Sequence, residues 1–264
     1  MNKSLCISGG GAKAVCTMGF LYELQQNKKL EGIQIFSGCS AGSMICALLI
    51  AGLNPLQMLP LIPQITDLSL NMESFQTFLD KSGVKRIQHY TRKFRRAIED
   101  KIGIKDPTLL EFYEKTKCLF YISAVNETKS KVIYFNYIDY PNIKLFDAIH
   151  ASSAIPGVFI PIKINGSSFI DGGYYCSLPL EPVMNTDCIA LCFKYQQFDD
   201  SIFDKIFKMI KMHSHLVKKE AIKRHTCLKL YELESNFTLL DLNKTQNELL
   251  DEFTNGRNQY KIEN

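Results

Sequence analysis

Two glycine-centred turns, each set between a short apolar run and a helical pattern, constrain the fold of this chain more than any other feature. Lys3 to Ser8 (KSLCIS) reads as a buried strand and runs into Gly9, Gly10 and Gly11. Val15, Met18, Gly19, Leu21, Tyr22 and Leu24 then recur at overlapping helical spacings within Ala12 to Lys28. Asn27 and two lysines close that helix and suit its negative C-terminal end. Ile33 to Ser37 (IQIFS) is a second short strand. Gly38-Cys39-Ser40-Ala41-Gly42 leads from it into an apolar helix, Ser43 to Ala51, that ends at Gly52. Strand, helix and strand of these lengths make a βαβ unit. Its right-handed crossover sets the two strands parallel, with their C-terminal ends on the same sheet edge. The two glycine turns should therefore meet there.

The bulk properties allow such a fold and exclude several others. The 264 residues fit one α/β domain or two small ones. With 46% hydrophobic and 22% charged residues the chain can bury a sizeable core, which argues against disorder. A net charge of +4 is too small to imply a nucleic-acid partner. The cysteines number nine, an odd count, and the N-terminal MNKSLCISGG lacks a secretory hydrophobic stretch. Cys6, Cys16, Cys39 and Cys46 sit inside apolar patterns and read as reduced core residues of a cytoplasmic protein. Cys188 and Cys192 are four apart, but no second closely spaced ligand pair accompanies them, so no zinc site is expected. No run of about 18 apolar residues occurs, and no transmembrane helix is expected.

Further along, residues 54–104 read as helical, with breaks at Pro60–Pro63 and around Ser82-Gly83; this stretch is the obvious lid candidate. Leu119 to Val125 and Lys131 to Tyr137 read as strands, and Leu145 to Ala154 as a helix ended by Pro156-Gly157. Val158 to Ile164 and Ser167 to Ile170 flank Asn165-Gly166, a strong hairpin signal. Cys188 to Tyr195 is a further strand, Ile202 to Arg224 a long basic amphipathic helix, and the polar stretch from Asn243 helical before it frays.

Three of these turns carry chemistry. A nucleophilic serine needs a sharp strand-to-helix turn that exposes its hydroxyl, with small neighbours because the backbone is tightly bent. Gly38 and Gly42, two residues either side of Ser40, meet that need, and the helix N-terminus behind Ser40 favours a developing anion. The plainer alternative is a serine N-cap flanked by turn glycines. Gly9, Gly10 and Gly11 expose backbone N–H groups that suit a phosphate or an oxyanion. A dinucleotide fingerprint would want Gly at position 14, which is Ala, and an acidic residue ending the second strand, which instead ends in Ser37-Gly38-Cys39-Ser40. A P-loop fails because no G-K-[ST] follows. Asp171-Gly172-Gly173 follows a strand. Asp171 is either a plain Asp-Gly turn or a carboxylate placed to take the serine proton.

With GGGAK at 9–13, GCSAG at 38–42, ASSAIPGVF at 151–159 and DGG at 171–173, in that order, the sequence resembles the patatin-like phospholipases over about residues 4 to 195. The resemblance implies a three-layer α/β/α fold with a mainly parallel central sheet and the nucleophile on a strand–turn–helix elbow. It implies residues 1–195 as the catalytic domain, and 196–264 is expected as a helical extension packed on it. The implied activity is a phospholipase A-type lipid acyl hydrolase acting through an acyl-serine intermediate, with a Ser–Asp dyad, no catalytic histidine and no metal or other cofactor. Residue by residue, Ser40 matches the nucleophile and Asp171 the base, followed by Gly172 and Gly173. Gly10 and Gly11 match the oxyanion-hole glycines, with Gly9 and Lys13 beside them. The implied partner is a phospholipid or neutral lipid. Two departures stand out: Ala14 replaces the last glycine of the first motif, and Tyr174, Tyr175, Cys176 and Ser177 replace an Asn-rich stretch after DGG.

Two rivals share parts of this pattern. An α/β-hydrolase with a Ser–His–Asp triad would need a histidine after the acid, leaving His213, His215 and His225. A catalytically inactive lipid-binding protein could use the same fold. Peripheral membrane contact has two candidate faces. On the helix from Ile202, Phe203, Ile206, Phe207, Ile210 and Val217 lie to one side, with Lys205, Lys208, Lys211, Lys218 and Lys219 bordering or opposing them. The second is a basic cluster of Lys81, Lys85, Arg86, Arg92, Lys93, Arg95 and Arg96. The plainer reading of either face, and the one the pattern favours, is a core-facing stripe with solvated basic residues.

Overall fold

The computed structural model describes residues 3–62, 85–194, 202–241 and 243–263. Strand β1 (Lys3–Ile7) leads through a 3-10 turn at Gly11–Lys13 into α1 (Ala14–Gln26); β2 (Ile33–Cys39) follows and leads into α2 (Ala41–Ile50). β1 and β2 are adjacent and parallel, with Cys6 opposite Ser37 and Ile7 opposite Gly38. This is the βαβ unit expected from the sequence.

The sheet grows on both sides of this pair. β3 (Leu119–Asn126), β4 (Lys131–Phe135), β5 (Ile162–Ile164), β6 (Ser167–Asp171), β7 (Asp187–Phe193) and β8 (Leu228–Leu233) complete eight strands in the order β5-β6-β3-β2-β1-β7-β8, with β4 also paired to β3. From β3 to β8 the strands are parallel, whereas β4 and β6 run antiparallel to β3. The hairpin between β5 and β6 turns on Asn165 and Gly166, at φ 48° and 75°, the left-handed pair a two-residue turn needs.

Alternation along the central strands divides the core into two. Leu5 and Ile7 of β1 and Leu191 of β7 join a large cluster with Phe20, Ile45, Phe94 and Phe146. Cys6, Cys188, Ala190 and Cys192 point into a second cluster with Leu178, Leu180, Val183 and Ala221. Both faces of the parallel strands are covered, as a parallel sheet requires, and the architecture is the three-layer α/β/α sandwich. Cys6, Cys16, Cys39 and Cys46 are all buried with free thiols.

The helices follow from local signals. Thr108 and Glu111 form a capping box that starts α5 (Leu109–Thr116), and Asn54 and Gln57 do the same for α3 (Pro55–Met58). α4 (Arg92–Ile102) buries Phe94, Ile98 and Ile102 and exposes Arg92, Lys93 and Arg96. It is thus a core-facing stripe with solvated basic residues. α6 (Leu145–Ser152) covers the sheet ahead of the acid motif. Much of the lid candidate, 63–84, lies outside the described residues, and so does Lys81.

Three readings need correction. Of the strand expected over 158–164, only Ile162–Ile164 joins the sheet, because Pro161 lacks the N–H a ladder needs; Phe159 makes a lone parallel bridge to Lys85. The region after residue 195, expected to be helical, also contributes β8, which pairs in parallel with β7 at the sheet edge. On α7 (Ile202–Arg224) the side chains of Phe203, Lys205, Ile206, Phe207, Lys208, Ile210 and Lys211 lie outside the described residues. Beyond them the helix is turned differently from the pattern. Lys218 is 4% exposed and donates to the Phe193 carbonyl at 3.2 Å and to Glu232 at 3.4 Å. Met212 and Leu216, by contrast, are 54% and 56% exposed.

α8 (Gln246–Glu263) closes the fold by crossing α1. A Cβ on Gly19 would fall 1.9 Å from the Phe253 carbonyl oxygen, and one on Gly256 1.9 Å from that of Cys16, so these glycines let the two backbones touch. Around the crossing Phe20 meets Tyr260, Tyr22 meets Phe253, and Arg257 bonds Glu23 at 2.7 Å. Among the described residues no helix is long and apolar enough to cross a membrane.

Candidate active site

Ser40 stands between β2 and α2 at φ 52°, ψ −128°, a conformation that costs a non-glycine residue about 1–3 kcal/mol. The surroundings enforce it. A Cβ on Gly42 would lie 2.3 Å from the Ile7 carbonyl oxygen, and one on Gly38 2.7 Å from Ser43 Cα. The Ser40 carbonyl accepts from Ser43 N at 2.9 Å and from Ser43 Oγ at 2.6 Å, and its N–H donates to Ser152 Oγ at 2.8 Å.

Strand β3 acts as the ruler that brings Asp171 to this point. β2 runs along one edge of β3 until Cys39 pairs with Ser123. The chain turns away at Ser40, and on that vacated edge β6 pairs antiparallel, with Asp171 opposite Ala124. The ends of β2 and β6 thus abut, one residue apart along β3. Asp171 N–H donates to the Ala154 carbonyl at 3.0 Å, which fixes the strand end.

The Asp171 carboxylate is 5% exposed. Burial raises its pKa to about 6, against the opposing pull of hydrogen bonds from the Ser40 hydroxyl, the Gly173 N–H and the Cys39 thiol. Gly173 N–H lies 2.7 Å and Cys39 Sγ 3.8 Å from Oδ1. Burial, and then the Asp171 charge, hold the Cys39 thiol well above its ordinary pKa, so it stays a donor. Gly172 sits so close to β3 that a Cβ would lie 2.4 Å from the Ser123 carbonyl oxygen.

The glycine loop lies against Ser40: a Cβ on Gly9 would come 3.2 Å from Ser40 Cβ. Its members divide by role. Gly9 N–H is already engaged with the Ser177 carbonyl at 2.9 Å. Among the described residues the N–H groups of Gly10 and Gly11 make no hydrogen bond, and Gly11 shares a cavity wall with Ser40. Lys13, expected beside the oxyanion hole, holds its ammonium 5.7 Å from the centre of the Phe193 ring and does not line that cavity.

The cavity opening on Ser40 has a volume of about 90 Å3 and an almost wholly apolar lining, including Met18, Met44, Leu48, Met58, Phe94 and Phe159. Among the described residues its side chains with hydroxyls are Ser40, Tyr90, Thr91 and Ser153. None of the five histidines reaches it. His150 is buried and bonds Thr91 at 2.8 Å, and its pKa is lowered to about 4 by burial and then by Arg95. His225 is buried against the Val183 carbonyl at 3.0 Å, and His213 is exposed with its ring 5.9 Å from that of Tyr175. Ser152 and Cys39 touch the site without having been singled out for it. Ser152 was legible only as part of ASSAIPGVF, and the role of Cys39 follows from the abutting strands.

This arrangement defines a class. The patatin-like phospholipase profile matches residues 5–184, and the chain belongs to that family. Among curated relatives it is 29% identical over 182 residues to a probable lipid hydrolase of Invertebrate iridescent virus 6, covering 68% of this chain and 62% of the relative. It is 26% identical over 204 residues to a patatin-like phospholipase domain-containing protein of Yarrowia lipolytica, covering 70% and 24%. The chain thus matches less than two thirds of these relatives' lengths. VipD from Legionella pneumophila shares the fold at a TM-score of 0.61 and 16% identity, over 99% of this chain and 66% of that one. The type III effector ExoU does so at 0.53 and 15%, over 99% and 52%.

Proposed function

We propose that this protein hydrolyses acyl esters of phospholipids or neutral lipids through an acyl-serine intermediate, with Ser40 as nucleophile and Asp171 as base. One observation carries the reading: the ends of β2 and β6 abut on β3, which brings the Ser40 side chain to the buried Asp171 carboxylate, where it pulls the pKa down against burial, at the wall of an apolar cavity. Asp171 takes the proton as Ser40 attacks the ester carbonyl. The Gly10 and Gly11 N–H groups, with the N-terminus of α2, stabilise the oxyanion. The alcohol departs with the proton, and water attacks the acyl-serine with Asp171 again as base. The apolar cavity suits an acyl chain. The approach of Ser40 to Asp171, in a cavity that no histidine lines among the described residues, favours a dyad over a triad, and the intact nucleophile and base favour an enzyme over an inactive binder.

Ser40→Ala should remove nearly all hydrolysis across a panel of lipids read by mass spectrometry, and a fluorophosphonate should label Ser40 in the folded wild type. Substantial turnover by folded Ser40→Ala refutes the mechanism. Contact with a lipid surface belongs to the same reading: Tyr174 and Tyr175 follow the acid motif, Tyr175 meets His213 of α7, and Met212 and Leu216 project from that helix. Met212→Asp with Leu216→Asp should weaken sedimentation with anionic vesicles several-fold; unchanged binding removes this face from the proposal.

A further inference from the structure

We infer that Ser153 contacts the substrate, its hydroxyl donating to the alkyl oxygen of the scissile ester, the oxygen that departs with the alcohol. The inference rests on the reading of Ser40 as nucleophile. Ser153 is 5% exposed and lines the cavity with Ser40 and Gly11, and among the described residues its Oγ has no hydrogen-bond partner. A buried hydroxyl without a partner is destabilising. In a cavity with so little polar surface it gains a partner when a ligand brings one.

The chain around Ser153 ties it to the reacting atoms on both sides. Ser152 Oγ accepts the Ser40 N–H at 2.8 Å, and the Ala154 carbonyl accepts the Asp171 N–H at 3.0 Å. Ser153 lies between the residue that holds the nucleophile and the residue that holds the base. Of the other polar side chains of the cavity, Ser40 is drawn to Asp171, Thr91 bonds His150 at 2.8 Å, and Tyr90 sets its ring 6.4 Å from that of Phe159. An ester at Ser40 presents two oxygens. The carbonyl oxygen has the Gly10 and Gly11 N–H groups; for the alkyl oxygen, Ser153 is the buried cavity hydroxyl that lacks a partner among the described residues.

The consequence is chemical. When the tetrahedral intermediate collapses, the bond from carbon to the alkyl oxygen breaks and its electron pair stays on that oxygen. The oxygen takes the proton that Asp171 removed from Ser40. The Ser153 hydroxyl keeps its own proton, and its hydrogen bond strengthens as negative charge builds on the departing oxygen.

The test compares an oxyester with a thioester of the same acyl chain and alcohol, because sulfur is a weak acceptor. Ser153→Ala should lower kcat/KM about tenfold on the oxyester and less than twofold on the thioester. Ser153→Thr should restore the difference. The melting temperature of Ser153→Ala should equal or exceed that of the wild type, since an unpartnered buried hydroxyl has gone. Equal losses on both esters, or none on the oxyester, overturn the inference. If the alanine variant does not fold, Ser153→Cys, close in shape but a weak donor, serves in the same comparison. Fluorophosphonate labelling separates the two readings. A labelled Ser40 with no oxyester selectivity removes Ser153 alone, and an unlabelled Ser40 in folded wild type removes the nucleophile and Ser153 together.

Discussion

Ser40 and Asp171 sit at the ends of two strands that meet, yet the protein holds them by different means. Ser40 is held mostly by its own neighbourhood, Gly38, Gly42 and Ser43 of the same elbow, with α2 packed down on the Ile7 carbonyl and Ser152 as the one distant hydrogen-bond partner of its backbone among the described residues. Asp171 is held by residues distant in sequence: the edge of β3, the Ala154 carbonyl, and the thiol of Cys39 from the other strand. The first arrangement is steric and the second is electrostatic and dependent on register. Damage to the elbow should therefore appear as unfolding, whereas damage to the acid should appear as lost chemistry on a sound fold.

The sharpest way to break this contrast is Asp171→Asn. Activity should fall about 10^4-fold, while stability at neutral pH rises. Asp171 titrates near 6 in the fold against an ordinary 3.8, so the folded state binds its proton more tightly. Its contribution is most favourable below pH 3.8 and is lost as pH rises through 6, a penalty of about 3 kcal/mol at pH 7. Melting temperatures should show Asp171→Asn gaining a few degrees at pH 7 and little at pH 4. In the wild type, kcat/KM should drop tenfold per pH unit below about 6, where the base is protonated. A profile flat to pH 5 would exclude Asp171 as base.

Gly42→Ala tests the other side. Its Cβ would meet the Ile7 carbonyl oxygen at 2.3 Å, and α2 would have to lift from β1. Urea unfolding should show a loss of about 3 kcal/mol, with activity falling alongside. Normal stability with lost activity would mean the elbow is not steric. Ser152→Ala joins the two regions and should do least. It leaves the Ser40 N–H without its 2.8 Å partner, costing about 1 kcal/mol and roughly tenfold in activity.

Much of this was readable in the residues. The βαβ unit, the elbow and the Asn165-Gly166 hairpin came through because each is specified within a few residues. Other elements were written locally but passed over: α5 begins at a Thr108–Glu111 capping box, and β8 (LKLYEL) is a short apolar run interrupted by exposed Lys229 and Glu232. α7 could not be oriented from its pattern. The partners that allow Lys218 to be buried, the Phe193 carbonyl and Glu232, come from β7 and β8.

By itself the sequence determined where the strand–turn–helix elbow at Ser40 lies and that the glycine loop shares its sheet edge, because right-handed crossover leaves one arrangement. It left Asp171 as either a turn or a base. Only the tertiary structure decided that Asp171 abuts Ser40, since the choice depends on which residue of β3 each strand reaches. The structure likewise separated Gly9, whose N–H is engaged with Ser177, from Gly10 and Gly11. Hydrogen-bond commitments between distant segments exist only once the sheet has assembled.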